Sequence, residues 1–495
     1  MSDAELALMR NGEALARDAV PSLSIDAFRS AVIAAPDRGE RVSALFGAPG
    51  EGSSVELWVV LARDGDATLR LARTRVEHGT FPSMTRERPE VHLFEREIAE
   101  RWKLIPEGHP WLKPVRFTPA SGGSIGVMDF YRVAGDEVHE VAVGPVHAGV
   151  IEPGHFRFQC HGETVFHLEI SLGYQHRGVE RALVGGPHTR SLHHVETLAG
   201  DTSAAHATAY SELVEALSTT EVSPRASALR AVAIELERLA NHTGTLGALA
   251  GDVAFLPTAA FCGRIRGDFL NLSASLCGSR FGRGFVRPGG VGFDVDDALA
   301  KTMIARLDAA MRDVDQAVDL MMRAPSVQAR FEDTGRVDGP TAASLGLVGV
   351  AARASGLLRD VRNDHPTGAY RASRVSVSAW PSGDVFARAF VRHREVQRAG
   401  AFVKEQLLKL PAGVLRETVG PLSPDRVSVS LVEGFRGEVC HVALTDGDGR
   451  FAAYKVVDPS FHNWMGLAMA LRGQAISDFP LCNKSFDLSY CGFDL

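Results

Sequence analysis

The residues best suited to chemistry in this 495-residue chain are charged side chains placed within or beside apolar segments. Asp252 ends a long helical pattern, and Arg359, Asp360, Arg362 and Asp364 place four charges within six residues. A carboxyl at the end of a buried helix can have a raised pKa and donate a proton, or it can form only local hydrogen bonds. If exposed, the four clustered charges form a solvated loop.

The cysteines and histidines do not form the patterns that metal sites require. Six cysteines are scattered without a Cys-x-x-Cys pair, which favours reduced thiols packed as small apolar residues. Five histidines between residues 147 and 176 match no zinc-ligand spacing, so each is better explained as a hydrogen-bonded structural residue. These histidines are His147, His155, His161, His167 and His176.

Composition and charge argue against several classes of function. With 45% hydrophobic and 23% charged residues, the chain has the composition of a globular protein large enough for two or three domains. A net charge of −7 and the absence of a cluster of Lys and Arg argue against a nucleic-acid partner. No apolar run approaches the length of a membrane-spanning helix, and the first residues carry no signal segment. We therefore expect a protein on the cytoplasmic side of a membrane or in the cytoplasm.

Motifs spread over most of the chain resemble the large subunit of the [NiFe]-hydrogenase superfamily, which includes the large subunit of respiratory complex I. The motifs are Gly-Pro-Val-His at 144–147, Ala-His and Ala-Tyr at 205–210, Glu-Leu-Glu-Arg at 235–238, Arg-Pro-Gly-Gly at 287–290, the charged segment at 353–366, and Ser-Phe-His-Asn-Trp at 460–464 with Ser-Phe-Asp at 485–487. Residues 94–112 resemble the complex I subunit of about thirty kilodaltons, which is fused ahead of the large subunit in some hydrogenase relatives.

The resemblance implies an α+β fold, with a small N-terminal α/β domain fused to a mainly α-helical bundle domain that carries peripheral β-sheets. We assign residues 1–115 to the thirty-kilodalton-type domain, residues 116–140 to a linker containing Pro119, and residues 141–495 to the large-subunit domain. Local patterns predict a hairpin over 55–72, strands over 156–170, helices that start after Ser223 and Asp294, a helix over 383–410 and a three-stranded meander over 427–457.

Three glutamates of the first domain, Glu95, Glu97 and Glu100, have two interpretations. By themselves they indicate a solvated helix face, whereas the resemblance favours a surface that docks on the large-subunit domain rather than a catalytic role.

The resemblance also implies that a nickel site has been lost. In hydrogenases, two Cys-x-x-Cys pairs bind the nickel–iron centre, and the matching positions here are Ala199, Thr202, Ser489 and Gly492. Four-thiolate nickel depends on soft sulfur donors, which these residues lack. The neighbouring Cys491 cannot replace four thiolates, so we expect no metal ligands and no hydrogenase activity.

In complex I relatives the same loop binds a quinone headgroup, so the resemblance implies that an acceptor binds beside Gly200, Asp201, Thr202, His206 and Tyr210. The usual quinone-bonding tyrosine corresponds here to Gly200, which leaves that contact in doubt.

The catalytic candidates implied by the resemblance are Asp252, His155 and the 359–364 cluster. Asp252 matches an aspartate at the complex I quinone site. The histidine paired with that aspartate aligns with Pro153, so His155 is an imperfect substitute. The cluster matches an arginine-rich segment that runs toward the buried cavity. The resemblance implies that its charges form a buried ion-pair network, which is costly unless fully paired and is therefore usually tied to specificity or function.

We therefore expect a peripheral large subunit, on the cytoplasmic side of the inner membrane, of an energy-converting oxidoreductase complex similar to formate hydrogenlyase, hydrogenase-4 and complex I. It would bind no cofactor directly. An iron–sulfur small subunit would supply electrons, and quinone would be the substrate. The complex would be of the NADH or ferredoxin:quinone type, and its membrane subunits would move ions. The alternative is a redox-inactive scaffold that transmits conformational change, and the missing thiols disfavour a third interpretation, an intact nickel hydrogenase.

Overall fold

The structure of the protein is a computed structural model that describes residues 6–77, 79–118, 122–147 and 151–495. One continuous apolar core includes Val59 near the amino terminus, Phe156 and Leu236 in the middle of the chain, and Trp464 near its end. The mixture of helices and sheets confirms the α+β class.

A mainly antiparallel sheet and two helices form the amino-terminal part of the fold. The elements are β1 (Ala7–Arg10), β2 (Ala14–Ala16), β3 (Ser22–Leu23), α1 (Ile25–Ile33), β4 (Glu40–Pro49), β5 (Val55–Arg63), β6 (Thr68–Val76), β7 (Thr80–Pro82), α2 (His92–Trp102) and β8 (Ile105–Glu107). The sheet order is β1-β6-β5-β4, with β3 parallel beside β6, and β7 and β8 form a separate parallel pair. Strands β5 and β6 are the predicted hairpin.

A three-stranded antiparallel sheet, with order β11-β10-β9, leads into the larger part of the fold. Its strands are β9 (Val138–Val143), β10 (His155–His161) and β11 (Thr164–Ser171), and the last two confirm the strands predicted over 156–170. Strand β9 begins inside the range assigned to the linker, and residues 119–121 of that range, with Pro119, lie outside the described residues. The short helices α3 (Val179–Leu183) and α4 (Ser191–Glu196) follow.

Long helices form a bundle in which α6 packs against α5, α7 and α13. The elements are α5 (Ser203–Ser218), α6 (Pro224–Asp252), α7 (Leu256–Cys277), β12 (Val286–Arg287), β13 (Gly290–Val291), α8 (Asp297–Met322), α9 (Pro325–Phe331), α10 (Gly339–Ser344), α11 (Gly349–Ala354), α12 (Val361–Asp364) and α13 (Val385–Leu408). Helix α13 confirms the helix predicted over 383–410. Among the described residues, no helix combines the length and apolar composition needed to cross a membrane.

The helix caps confirm one prediction and correct another. Ser223 caps α6, because its hydroxyl accepts a hydrogen bond from the backbone of Ala226 and Pro224 occupies the first turn. The cap of α8 is Asp296, not Asp294: the Asp296 carboxylate accepts from the backbone N–H of Leu299 at 2.7 Å. Asp294 lies too early to reach the first turn and instead forms an ion pair with Arg225 at 2.7 Å.

The chain ends in a sheet and three helices, namely β14 (Arg426–Glu433), β15 (Glu438–Thr445), β16 (Phe451–Val457), α14 (Pro459–Ala470), α15 (Phe479–Phe486) and α16 (Tyr490–Asp494). The three strands are the predicted meander. Strand β2 extends this sheet at its open edge, where Leu15 lies opposite Val427. Residues 14–16 are therefore built into the carboxy-terminal sheet.

Candidate functional site

The two turns that carry the expected metal-ligand positions meet inside the fold. Residues 199–202 lead into α5, and residues 489–492 open α16. Cys491 joins them, because its thiol lies against the backbone of Gly200. Burial raises the pKa of this thiol to about 11, and the neighbouring Glu152 adds to the effect. The thiol is therefore protonated at neutral pH.

The side chains at the four positions do not fit a nickel–iron centre. Ala199 has no donor atom, and Thr202 donates its hydroxyl to the neighbouring carboxylate at 3.1 Å. Ser489 caps α16, because its Oγ accepts from the backbone N–H of Gly492 at 2.9 Å. A Cβ at Gly492 would lie 2.6 Å from Cγ of Asp458, so a side chain there requires a shift. Soft thiolate ligands are missing from every one of these positions.

A buried arginine from outside both motifs links the first turn to the segment just before the second. Arg436, between β14 and β15, donates to both carboxylate oxygens of Asp201 at 2.7 and 2.8 Å. The same guanidinium donates to the backbone carbonyl of Asp487 and lies 3.9 Å from its carboxylate, which accepts from Thr245 at 2.6 Å. Burial alone would raise the pKa of Asp201, but Arg436 holds it below its usual value. This ion pair fixes the 199–202 turn against the carboxy-terminal segment.

His206 lies beneath the meeting point of the turns, in a fully buried chain of hydrogen bonds. Its Nε2 is 3.1 Å from Oδ2 of Asp458, and its Nδ1 is 3.0 Å from Nε2 of His441. Nδ1 of His441 is in turn 2.8 Å from the hydroxyl of Tyr454. Burial and the neighbouring His206 hold the pKa of His441 well below its usual value. With Asp458 ionised, Tyr454 donates to His441, His441 to His206, and His206 to Asp458.

Tyr210 lies one turn beyond His206 on α5 and points into the core. Its ring packs near Phe451 and Tyr454, with centroids 6.5 and 6.3 Å apart. Burial raises the pKa of Tyr210 to about 12, so the phenol is neutral. The structure thus brings residues 200–202 to the meeting point of the turns. His206 instead lies between Asp458 and His441, and Tyr210 packs in the core near Phe451 and Tyr454.

The 359–364 cluster takes part in a buried ion-pair network rather than a solvated loop. Arg362 contacts Asp360 at 2.6 Å and Glu235 of α6 at 3.1 Å. Burial alone would raise the pKa of Asp360, but Arg362 and Arg353 hold it below its usual value. Arg359 and Asp364 lie at the edge of the network. The Arg359 side chain is half-buried, and the Asp364 carboxylate accepts from the backbone of Asp360 at 2.8 Å.

The network continues into the bundle and the carboxy-terminal sheet. Arg353 contacts Glu395 of α13 and Glu433 of β14, both at 2.8 Å. Arg238 of α6 completes it, at 3.4 Å from Glu395. Burial raises the pKa of Glu433 to about 7, whereas Arg353 and His242 overcome burial and hold the pKa of Glu395 well below its usual value. The network therefore fastens α6, α13 and β14 to one another.

Asp252 and His155 are not brought together by any hydrogen bond or ion pair within the described ranges. Asp252 is exposed at the end of α6, where partial desolvation raises the pKa of its carboxyl and Lys484 opposes the shift. His155 is buried at the start of β10, with Nδ1 3.3 Å from the carbonyl oxygen of Gly144. In the part of the chain that the structure describes, no three His, Cys, Asp or Glu side chains are grouped to hold a metal ion.

The three glutamates of α2 are buried, which excludes the solvated-face interpretation. Glu97 contacts Lys455 of β16 at 2.6 Å and Arg116 at 2.8 Å. Glu100 accepts from the backbone N–H groups of residues 115, 116 and 118, and Glu95 accepts from Ser83, Met84 and Thr85. Glu97 therefore ties the amino-terminal part of the fold to the carboxy-terminal sheet.

Several residues of the site carry no sequence signal that would reveal them. Arg436 and Asp458 are separated from Asp201 and His206 by 235 and 252 positions. Glu152 reaches the second turn through the backbone N–H of Tyr490 at 3.3 Å. For Glu152, the available hint was the neighbouring Pro153, which aligns with the histidine of the complex I quinone site.

Comparison with known proteins gives consistent similarities. Residues 252–423 match the family described as respiratory-chain NADH dehydrogenase, 49 Kd subunit, a span that includes Asp252 and the 359–364 cluster. The chain is 30% identical to formate hydrogenlyase subunit 5 of Escherichia coli (strain K12) over 438 residues, which cover 83% of this chain and 76% of that protein.

Two further relatives are a hydrogenase component and an NADH-quinone oxidoreductase subunit. Hydrogenase-4 component G of the same bacterium is 27% identical over 458 residues, covering 88% of this chain and 77% of its own length. NADH-quinone oxidoreductase subunit 4 of Thermus thermophilus is 28% identical over 378 residues, covering 71% of this chain and 92% of its own length.

Proposed function

Because the chain belongs to the large-subunit superfamily of the [NiFe] hydrogenases and respiratory complex I, we propose that it is the large subunit of a membrane-associated, energy-converting oxidoreductase complex that works without a nickel–iron centre. An iron–sulfur partner subunit supplies electrons, from NADH or from a ferredoxin-type donor. A quinone or a similar small acceptor is reduced beside the 199–202 turn. Membrane subunits couple this reduction to ion movement, and the chain sits peripherally on the cytoplasmic side of the inner membrane.

This proposal rests on the residues that occupy the four positions at which hydrogenases have their nickel-ligand cysteines. Ala199, Thr202, Ser489 and Gly492 lie in turns that meet, yet Ser489 and Thr202 use their hydroxyls in local hydrogen bonds and Gly492 has no room for a side chain. The scaffold of the superfamily is thus retained around a site that cannot provide thiolates. Hydrogen chemistry is therefore disfavoured, and reduction of an organic acceptor is the activity that fits the relatives of the complex I type.

The polar groups of this chain supply what a quinone headgroup requires. Reduction of a quinone to a quinol takes two electrons and two protons, so the site needs hydrogen-bond donors and a proton source. A quinone oxygen at the first turn would take hydrogen bonds from Thr202 and Arg436 in place of Asp201, and Asp487 keeps 28% of its side chain exposed beside them. Asp252, with its raised pKa, is a second proton source at the end of α6.

The scaffold alternative is favoured by one specific feature, which is the completeness of the ion pairing. Asp201, Asp360 and Arg362 are all engaged in short contacts, so their charges can serve assembly alone. The two functions differ in one respect: a scaffold has no turnover that a substitution could remove.

The proposal is tested on the assembled complex, isolated from its native membranes, with a reduced donor and a soluble quinone. We expect quinone reduction by the wild type and a loss of at least about tenfold in Asp252→Asn with the subunits still assembled. The matched control is Asp268→Asn, which removes an exposed carboxylate that pairs with Arg264. A wild-type complex that reduces no quinone with either NADH or ferredoxin as donor contradicts the proposal and supports the scaffold.

A further inference from the structure

A small pocket lies beside the 199–202 turn, between α5, α6 and α7. Its lining includes Asp201 of the turn, Glu237 of α6 and Ser273 of α7, together with Arg280 and Phe281, which are exposed. Glu237 and Asp201 therefore share one pocket with two exposed side chains, beside the turn at which the proposed acceptor is reduced.

Glu237 is one of two acidic side chains that line this pocket, and Asp201 is the other. Its carboxylate accepts hydrogen bonds from the backbone N–H groups of Ala204 and Ala205, at 2.7 and 3.4 Å, in the first turn of α5. No ion pair neutralises it among the residues that the structure describes. Its position next to Asp201 is unfavourable for a second negative charge, whereas Glu235, on the same helix, is paired with Arg238 and Arg362.

The environment of Glu237 favours a carboxyl that changes its charge near neutral pH. Burial raises its pKa to about 8, the charge of Asp201 adds to the rise, and the helix N–H groups and Arg238 only partly oppose it. The charged groups that face it are Asp201 on the turn, Arg238 on its own helix and Arg280 on the loop after α7. Capping α5 would not by itself require a raised pKa.

We propose that Glu237 is the proton-exchanging carboxyl of this site, and that the pocket past Ser273 and Arg280 is its route to water. The proposal rests on the proposed function. A reduced iron–sulfur cluster of the partner subunit supplies two electrons, one at a time, to the quinone. Glu237 gives up its carboxyl proton to a quinone oxygen and becomes a carboxylate. It regains a proton from water in the pocket and delivers that proton as the second one, which completes the quinol.

The test is the pH profile of quinone reduction in the assembled complex with Glu237→Gln. The amide keeps the size of the side chain, and its oxygen can still accept the shorter hydrogen bond, from Ala204, but it cannot exchange a proton. We expect a loss of at least about tenfold near pH 7. We also expect the wild-type rate to decline as pH rises through about 8, and this decline to be absent in Glu237→Gln. Glu237→Asp should restore part of the rate, and the infrared difference spectrum on reduction should lose its protonated-carboxyl band in Glu237→Gln.

The matched control is Glu212→Gln on α5. Burial also raises the pKa of Glu212, but its carboxylate accepts from Ser430 and lies in a different pocket. This variant should keep the wild-type rate within about twofold. Quinone reduction that is unchanged in Glu237→Gln overturns the proposal, and so does a loss that is the same at every pH and is not restored by Asp. A wild-type complex that reduces no quinone overturns the proposed function itself.

Discussion

Arg436→Met removes the cation that joins the 199–202 turn to Asp487, just before the second turn. The Arg436 side chain is 6% exposed, and its partner Asp201 keeps 32% of its side chain exposed. Loss of one member of a buried pair costs about 3–5 kcal/mol. Coulomb's law gives a similar size, since two unit charges about 4 Å apart interact by about 4 kcal/mol at an effective dielectric constant of about 20. Because water screens part of Asp201, we expect the free energy of unfolding to fall by about 3 kcal/mol.

The assay is urea unfolding of the purified chain, followed by tryptophan fluorescence. Arg264→Met is the control, because Arg264 and Asp268 form an exposed pair at 2.8 Å whose loss costs about 0–1 kcal/mol. The double variant Asp201→Asn with Arg436→Met should lose less than the sum of the two single variants.

The pH dependence of the Arg436 effect has a defined sign. Arg436 holds the pKa of Asp201 below its unfolded value, so the pair stabilises the fold above about pH 4 and loses this stabilisation as pH falls through the folded pKa. The difference between wild type and Arg436→Met should therefore shrink in acid. Equal losses in Arg436→Met and Arg264→Met at neutral pH would refute the reasoning.

Three further predictions concern other parts of the fold. Glu97→Gln breaks the ion pairs with Lys455 and Arg116, so it should lower the free energy of unfolding by about 3 kcal/mol and speed hydrogen exchange in α2 and β16. The control Glu87→Gln, in an exposed pair, should have little effect. Gly492→Ala forces a Cβ against Asp458 and should cost about 1–3 kcal/mol in urea unfolding, while Gly251→Ala, with open space around its Cβ, should not destabilise. His462 is buried, and burial lowers its pKa to about 4. Between about pH 6.5 and 4 the unfolded chain therefore binds a proton that the folded chain does not, so the free energy of unfolding should fall by up to about 3 kcal/mol over this range. His462→Gln should flatten this pH dependence.

Local patterns predicted the regular elements well, because the signals for them lie within a few residues. The turn at 64–66 lies between two β-forming runs, and Ser223 followed by Pro224 marks the start of α6. Two aspartates before α8 compete as caps, and the sequence does not say which one has the right backbone geometry, so Asp296 was missed. The edge strand β2 was also missed, since its partner β14 follows about 400 residues later and three residues carry little periodicity.

The site could be predicted only through the resemblance, and only in part. The motifs located the turns at 199–202 and 489–492, but not the groups that fill the space between them. Arg436 and Asp458 belong to no pattern that points to these turns, because their partners are distant in sequence. The raised pKa of Glu237 depends on burial and on the nearby Asp201, and Glu235, on the same helix, has a lowered pKa because it is paired. Spacing alone cannot distinguish the two.

The most direct test of the central claim is the nickel content per chain in the complex isolated from its native membranes, measured by elemental analysis together with iron. We expect nickel near zero with iron present, because positions 199, 202, 489 and 492 supply no thiolate and the hydroxyls of Thr202 and Ser489 are already engaged. About one nickel per chain would contradict the account, since it would require metal ligands that these positions do not provide.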